Sequence, residues 1–259
     1  MGNVEKSEGA VRINKYLAAS GVSSRREADE LIAQGLVTIN GAAARPGDKV
    51  NTGDTVKVRG KRVESSTRPV VVAYYKPVGV TCTARDPHAE KTLSDAFKYP
   101  VRLTYAGRLD QDSEGLLLMT NDGDLIHAMM QGASYHEKEY VVRVRRKITD
   151  AELHRMEKGI YLKELDATTR PCKVRRLGEY TFSIILTQGL NRQIRRMCKA
   201  VGHEIRFLKR VRVLTVRLGD LRPGEQRTLS NDELKKLFEA AYRTGGRKDN
   251  QVPARGSHE

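Results

Sequence analysis

The run Leu116-Leu117-Leu118-Met119-Thr120, closed by Asn121-Asp122-Gly123, is the stretch that most narrows what this chain can become. A short apolar segment ending in that turn signal reads as an interior strand. It fixes the loop ahead of it, Gly107-Arg108-Leu109-Asp110-Gln111-Asp112-Ser113-Glu114-Gly115, where acidic residues meet the core. On spacing alone Asp110 has two readings. It is a nucleophile or general base held beside Arg108, or it is a turn Asp satisfying backbone donors. A calcium loop is excluded: Asp110, Asp112, Glu114 and Gly115 mimic the first half of an EF-hand, but the twelfth position, which needs a bidentate Glu, is Asn121.

With 259 residues the chain suits a large domain plus a small one. Its 47 Lys and Arg against 32 Asp and Glu leave a formal charge of +15, which favours a polyanionic partner. No basic amphipathic segment with aromatic anchors and no long apolar run is present, so nucleic acid is preferred to a membrane surface. Cys82, Cys172 and Cys198 are odd in number and far apart, which speaks against a disulfide framework or a zinc site. Asp86, His88 and Glu90 alternate in a polar loop and read as solvated. No metal is expected, and no cofactor loop of the P-loop or Gly-x-Gly-x-x-Gly type occurs. The polar residues 1–10 lack an apolar signal region, so a cytoplasmic location is expected.

Along the chain, Ile13, Leu17 and Ala18 have helical spacing. A second helix opens on Ser24 and Glu27 placed as a capping box and stops at Gly35. Residues 37–39 and 55–58 read as strands, with a hairpin signal at Asn40-Gly41. Residues 11–58 thus form a small α/β unit. Arg12, Lys15, Arg25 and Arg26 stand at the starts of its two helices, either as phosphate contacts or as a solvated face. Residues 59–69 read as a linker. The second domain, residues 70–242, opens with a buried strand over 70–75 and a Lys76-Pro77-Val78-Gly79 turn, whose Lys76 is either part of a structural loop or a phosphate contact. Thr92 caps a short helix, residues 136–144 alternate as a strand, and Thr149 with Glu152 caps another helix. Arg192, Arg195, Arg196 and Lys199 crowd a strand-to-helix turn, and residues 205–218 read as one strand with cations on one face. Residues 243–259 read as a disordered tail.

Three segments carry a resemblance. Gly-Arg-Leu-Asp followed by Ser-Glu-Gly-Leu-Leu resembles the active-site motif of the RsuA/RluB/RluE/RluF family of pseudouridine synthases. Lys138-x-Tyr140 and Gln193-Ile194-Arg195-Arg196 match two further motifs of that family, with wording closest to its RluF branch. Residues 12–41 resemble the S-four RNA-binding domain. The resemblance implies an α+β fold: a small S-four-like domain and a larger domain around a mainly antiparallel sheet. It implies isomerisation of uridine to pseudouridine in RNA without an external cofactor, Asp110 as the catalytic carboxylate, Tyr140 stacking on the target base and Arg195 pairing with Asp110. Arg108, Arg192 and Arg196 become RNA contacts, Arg108 holding the loop or the flipped strand. The expected partner is large-subunit ribosomal RNA, with transfer RNA as a second candidate and a monomer as the working form. The rival reading is a non-catalytic ribosomal-RNA assembly factor, which leaves Asp110, Tyr140 and Arg195 without a purpose.

Overall fold

The computed structural model describes residues 10–64, 69–83, 90–131 and 135–242 of an α+β protein. In the N-terminal part β1 (Val11–Arg12) leads into α1 (Ile13–Ala19), and α2 (Arg25–Ala33) follows. The expected capping box is made: Ser24 Oγ accepts from Glu27 N at 3.2 Å, and Glu27 Oε2 accepts from Ser24 N at 2.7 Å. Then come β2 (Val37–Ile39), β3 (Ala42–Ala43), β4 (Lys49–Val50), β5 (Val56–Val58) and β6 (Lys61–Arg62). β1 pairs with β4, and the others form a sheet in the order β3-β2-β5-β6. Ile13, Leu17, Ala28, Ile32, Val37, Val56 and Val63 meet in one core. The linker reading is corrected at its start. Residues 59–63 turn back as a hairpin, and Val63, an isolated apolar residue in a charged stretch, is buried against that core.

The larger part contains β7 (Val71–Lys76), β8 (Val80–Thr81), β9 (Lys91–Thr92), α3 (Leu93–Ala96), β10 (Thr104–Tyr105), β11 (Glu114–Thr120), α4 (Gly123–Met130) and β12 (Lys138–Val144). After these come α5 (Asp150–Lys158), β13 (Tyr161–Leu162), β14 (Ala167–Thr168), β15 (Lys173–Gly178), β16 (Thr181–Leu186), α6 (Gln193–Ala200), β17 (Ile205–Val213), β18 (Val216–Arg217), β19 (Gln226–Thr228) and α7 (Asn231–Tyr242). The main sheet runs β15-β16-β12-β17-β11-β7-β19, with β10 on β11 and β18 on β17. Its pairings are antiparallel except β11 with β17.

One face of this sheet, through Val71, Ala73, Tyr75, Leu116 and Leu118, packs on α4 and α7. The other carries two clusters. Val142, Phe182, Ile184 and Leu208 pack on α5 and α6, while Val72, Tyr74, Leu117 and Met119 pack on Leu93, Phe97 and Leu109. β7 and β11 are therefore covered on both faces, which is why their sequences are continuous apolar runs.

Two readings of the β17 region are overturned. Residues 205–218 are a hairpin, not one strand: Leu214 takes a φ of +51° and β18 returns along β17. The row of cations on one face is also broken, because Glu139 lies opposite Arg212 while Tyr140 lies opposite Arg210, leaving Val211 as a bulge. Arg210 and Arg212 consequently point to opposite faces. Arg212 pairs with Glu137 and Glu139, each at 2.9 Å, and Arg210 is 1% exposed.

The two parts touch through side chains. Lys15 Nζ meets Asp124 at 2.6 Å, Arg102 pairs with Glu27, and Asn121 Nδ2 donates to Ala19 O at 3.4 Å. The expectations for residues 1–9, Asp86, His88 and 243–259 fall outside the described residues. Among the described residues no helix is long and apolar enough to cross a membrane.

Candidate active site

Register places the site. Gly115 on β11 lies opposite Lys76 on β7 and beside Arg210 on β17, and Arg210 lies opposite Tyr140 on β12. Residues facing each other across strands share a face of the sheet, so Lys76, Arg210 and Tyr140 form one row with a gap at Gly115. The gap is obligatory. Gly115 has a φ of +108°, and a Cβ there would stand 2.3 Å from Arg210 O and 2.7 Å from Arg210 N. Leu109 is buried in the cluster at this end of the face, and the loop carrying Asp110 closes over the row.

That loop is held mainly by its carbonyls. Arg210 Nη1 donates to Arg108 O at 3.2 Å and Arg210 Nε to Leu116 O at 2.7 Å. Lys76 Nζ donates to Ser113 O and to Pro77 O, both at 2.8 Å. Gly79 N donates to Gln111 O at 2.8 Å, and Arg195 Nη2 to Asp112 O at 2.7 Å. The bonds from Arg210, Lys76 and Arg195 are charge-assisted, which makes them stronger than neutral ones and fixes the backbone more firmly.

Above the loop, Asp110 is partly open, its side chain 37% exposed. The cation paired with it is Arg192, whose Nη1 stands 3.4 Å from Asp110 Oδ2. Arg195 does not make the ion pair with Asp110 that the resemblance implied. Its Nη2 lies 3.1 Å from Asp112 Oδ1 and also donates to Ser113 Oγ at 3.2 Å. Arg192 reaches Asp110 because it precedes α6 in a left-handed conformation, φ +49°, which swings its side chain over the loop. The same guanidinium grips Asp112 with two bonds, of 3.2 and 2.7 Å. Asp112 therefore ties the loop to α6. Burial pushes its carboxyl up, but the bonds from Arg192 and the charge of Arg195 outweigh burial and leave it below the usual value.

Tyr140 is partly buried and packs against both clusters on its face. Two residues earlier on the same strand, Lys138 is pushed down to about 8 by burial and by the charge of Arg210. Burial also pushes Lys76 down, against the opposing pull of Asp110 and Asp112. Lys76 is fully buried. Its assignment as a phosphate contact is therefore corrected: the residue ends β7 instead of sitting in the turn, and its ammonium is consumed by two carbonyls beneath the loop.

The remaining cations divide by exposure. Arg12, Arg25, Arg26 and Arg108 have exposed side chains. Lys15 is engaged with Asp124, and Arg196 is turned to Glu164, at 3.1 Å, and to Asn191. Sequence reasoning missed Asp112, Lys138 and Arg210 as members of the site. The register of the strands brings Lys138 and Arg210 there, whereas Asp112 had a signal in its spacing from Asp110. Buried Cys198 is pushed up to about 12 and Cys172 to about 11 by burial, which leaves both as unreactive thiols.

Residues 70–200 match the family described as RNA pseudouridylate synthase, and residues 11–56 match the S4 domain. The chain is 43% identical over 233 residues to the dual-specificity RNA pseudouridine synthase RluF of Escherichia coli O6:H1, a match covering 89% of this chain and 79% of that one. It is 40% identical over 234 residues to ribosomal large subunit pseudouridine synthase B of Bacillus subtilis, covering 87% and 95%. A crystal structure of a pseudouridylate synthase superposes with a TM-score of 0.64 at 28% identity, covering 88% of this chain and 99% of the other.

Proposed function

We propose that this chain, which belongs to the RNA pseudouridylate synthase family, isomerises one specific uridine of large-subunit ribosomal RNA with Asp110 as its catalytic carboxylate. The observation that carries the assignment is a partly exposed carboxylate on a loop clamped by buried cations, next to Tyr140 in the same end of the sheet. The enzyme is an RNA pseudouridine synthase, so in the reaction the N1–C1′ bond breaks, a C5–C1′ bond forms, and a proton leaves C5 while N1 ends protonated. Atoms balance without an external cofactor.

The target uracil has to leave its stack, at a cost of a few kcal/mol, and an aromatic partner offsets part of that. Tyr140 supplies the ring. Asp110 is the reacting carboxylate, and Arg192, 3.4 Å away, is its ion-pair partner in the free enzyme. When RNA arrives, a phosphate competes for Arg192, releasing Asp110 toward the nucleotide, while Asp112 keeps both guanidinium groups over the loop. Arg195 acts through Asp112 and the loop backbone. The small domain, whose boundary we set at residues 64–69, adds exposed Arg12, Arg25 and Arg26 as phosphate contacts. We place the enzyme in the cytoplasm, acting as a monomer.

Pseudouridine mapping of ribosomal RNA from cells lacking the protein, complemented with wild type or Asp110→Asn, tests this reading. One large-subunit uridine is expected to lose its modification and to regain it with wild type alone. Restoration by Asp110→Asn would overturn the catalytic assignment. An unchanged ribosomal map with a uridine lost from transfer RNA would move the substrate there.

A further inference from the structure

Arg210 is the largest fully buried side chain among the described residues, and its position is unusual for a cation. It makes no ion pair among the described residues. Two of its three nitrogens donate to backbone carbonyls, and Nη2 is buried without a partner. A buried charge without a counter-charge is costly, and so is a buried donor without an acceptor. Two neighbouring cations, Lys76 and Lys138, sit close enough for like-charge repulsion to add to that cost. Nothing in the packing of the sheet calls for it. A methionine would fill much of the same space without the charge.

What Arg210 does accomplish is specific. The carbonyls it holds, Arg108 O and Leu116 O, lie on either side of the segment that contains Asp110, Asp112 and Ser113. One planar guanidinium therefore fixes both ends of that segment at a set spacing. The strand that delivers it also carries the row position opposite Tyr140, so the loop and the stacking ring are referenced to the same residue. A lysine cannot reproduce this: its ammonium can meet two carbonyls, as that of Lys76 does, but it is one point on a flexible stem and does not hold two acceptors at a set spacing as the planar fork does.

We propose that Arg210 is a positioning residue for the isomerisation: it sets the distance between the Asp110 carboxylate and the base held by Tyr140, without touching RNA itself. The inference rests on the assignment of the chemistry to Asp110. Misplacement of a reacting group by about 1 Å costs on the order of 100-fold in rate, and uniform RNA binding is unaffected by such a shift.

The test uses the full chain and total RNA from cells lacking the protein, labelled with uridine tritiated at C5, so that each turnover releases tritium. Single-turnover rates at saturating enzyme are measured with RNA affinity by filter binding. Arg210→Lys is expected to slow the single-turnover step by about 30- to 100-fold and to leave the dissociation constant within about twofold, with the far-UV and thermal profiles of a folded protein. A wild-type rate in Arg210→Lys, or a loss of rate matched by an equal loss of affinity, would overturn the proposal. Asp110→Asn in the same assay separates the two readings. If it retains activity, the assignment to Asp110 fails; if it is inactive while Arg210→Lys is unaffected, only the role of Arg210 fails. Should Arg210→Lys not fold, the wild-type protein labelled with 15N-arginine gives the answer. A slowly exchanging Arg210 Nε–H is expected both free and with RNA bound, and exchange as fast as that of exposed arginines would overturn the clamp.

Discussion

The small domain and the catalytic domain are both rich in cations, but they use them in opposite ways. In the small domain Arg12, Arg25 and Arg26 are exposed at helix starts, and among its described residues no Lys or Arg is buried. In the catalytic domain Lys76 and Arg210 are turned inward and spend their hydrogen bonds on carbonyls of the Asp110 loop. An outward cation is cheap to hold and is available to a phosphate. An inward one costs folding energy and returns geometry. Net charge therefore says how many cations a chain has, and burial says which of them meet RNA.

The largest expected break in that contrast comes from the backbone that makes room for Arg210. Gly115→Ala adds a Cβ 2.3 Å from Arg210 O at a residue with φ +108°, which should destabilise the fold by about 4 kcal/mol or more. Chemical denaturation measures this, and a midpoint close to wild type would mean that β11 and β17 do not approach as described. A moderate effect is expected from the outward set. Arg25→Ala with Arg26→Ala should weaken RNA binding by about tenfold and lower the slope of log affinity against log salt by about 2, with the single-turnover rate unchanged. A fall in that rate would erase the distinction between the two regions.

The smallest effect is a pH dependence from the buried set. Lys138 falls from 10.5 to about 8 on folding, so between these values the unfolded chain binds more protons than the folded one. Stability from this group should rise as pH goes from about 8 toward 10.5, and Lys138→Met should flatten the rise in urea denaturation series. A wild-type profile that falls through this window would show Lys138 to be solvated.

Much of the architecture was legible because the local signals were chemical. The Ser24–Glu27 box, the apolar runs of β7 and β11, and the cap at Thr149 all became the elements they announced. The site was legible mainly through resemblance, which pointed to Asp110 and Tyr140. Lys76 was misread because β7 is buried on both faces, so no alternation marks where the strand ends. Arg195 meets Asp112 where the resemblance implied Asp110, and Arg192 meets both carboxylates, because the left-handed turn at Arg192 cannot be seen in a row of arginines. Arg210 was taken for a surface cation because the alternating pattern of its strand is interrupted at Val211, and such an interruption leaves no trace in composition.

That bulge makes β17 behave like text with a reading frame. Surface loops of this enzyme can gain or lose residues with little consequence, since their entropy grows slowly with length. Loss of Val211 itself would only close the bulge, but loss of the paired residue Lys209, with the strand before it held in place, would move Arg210 to the position opposite Val141. Arg210 would then project toward the α4–α7 side, where Lys209 now lies over Tyr75. Every amino acid of the catalytic loop would still be present, and the enzyme would have lost the spacing between them. For comparing sequences within this family, the count of residues between the Asp110 loop's partner strand and its turn is thus a more telling character than which hydrophobic residue occupies the bulge.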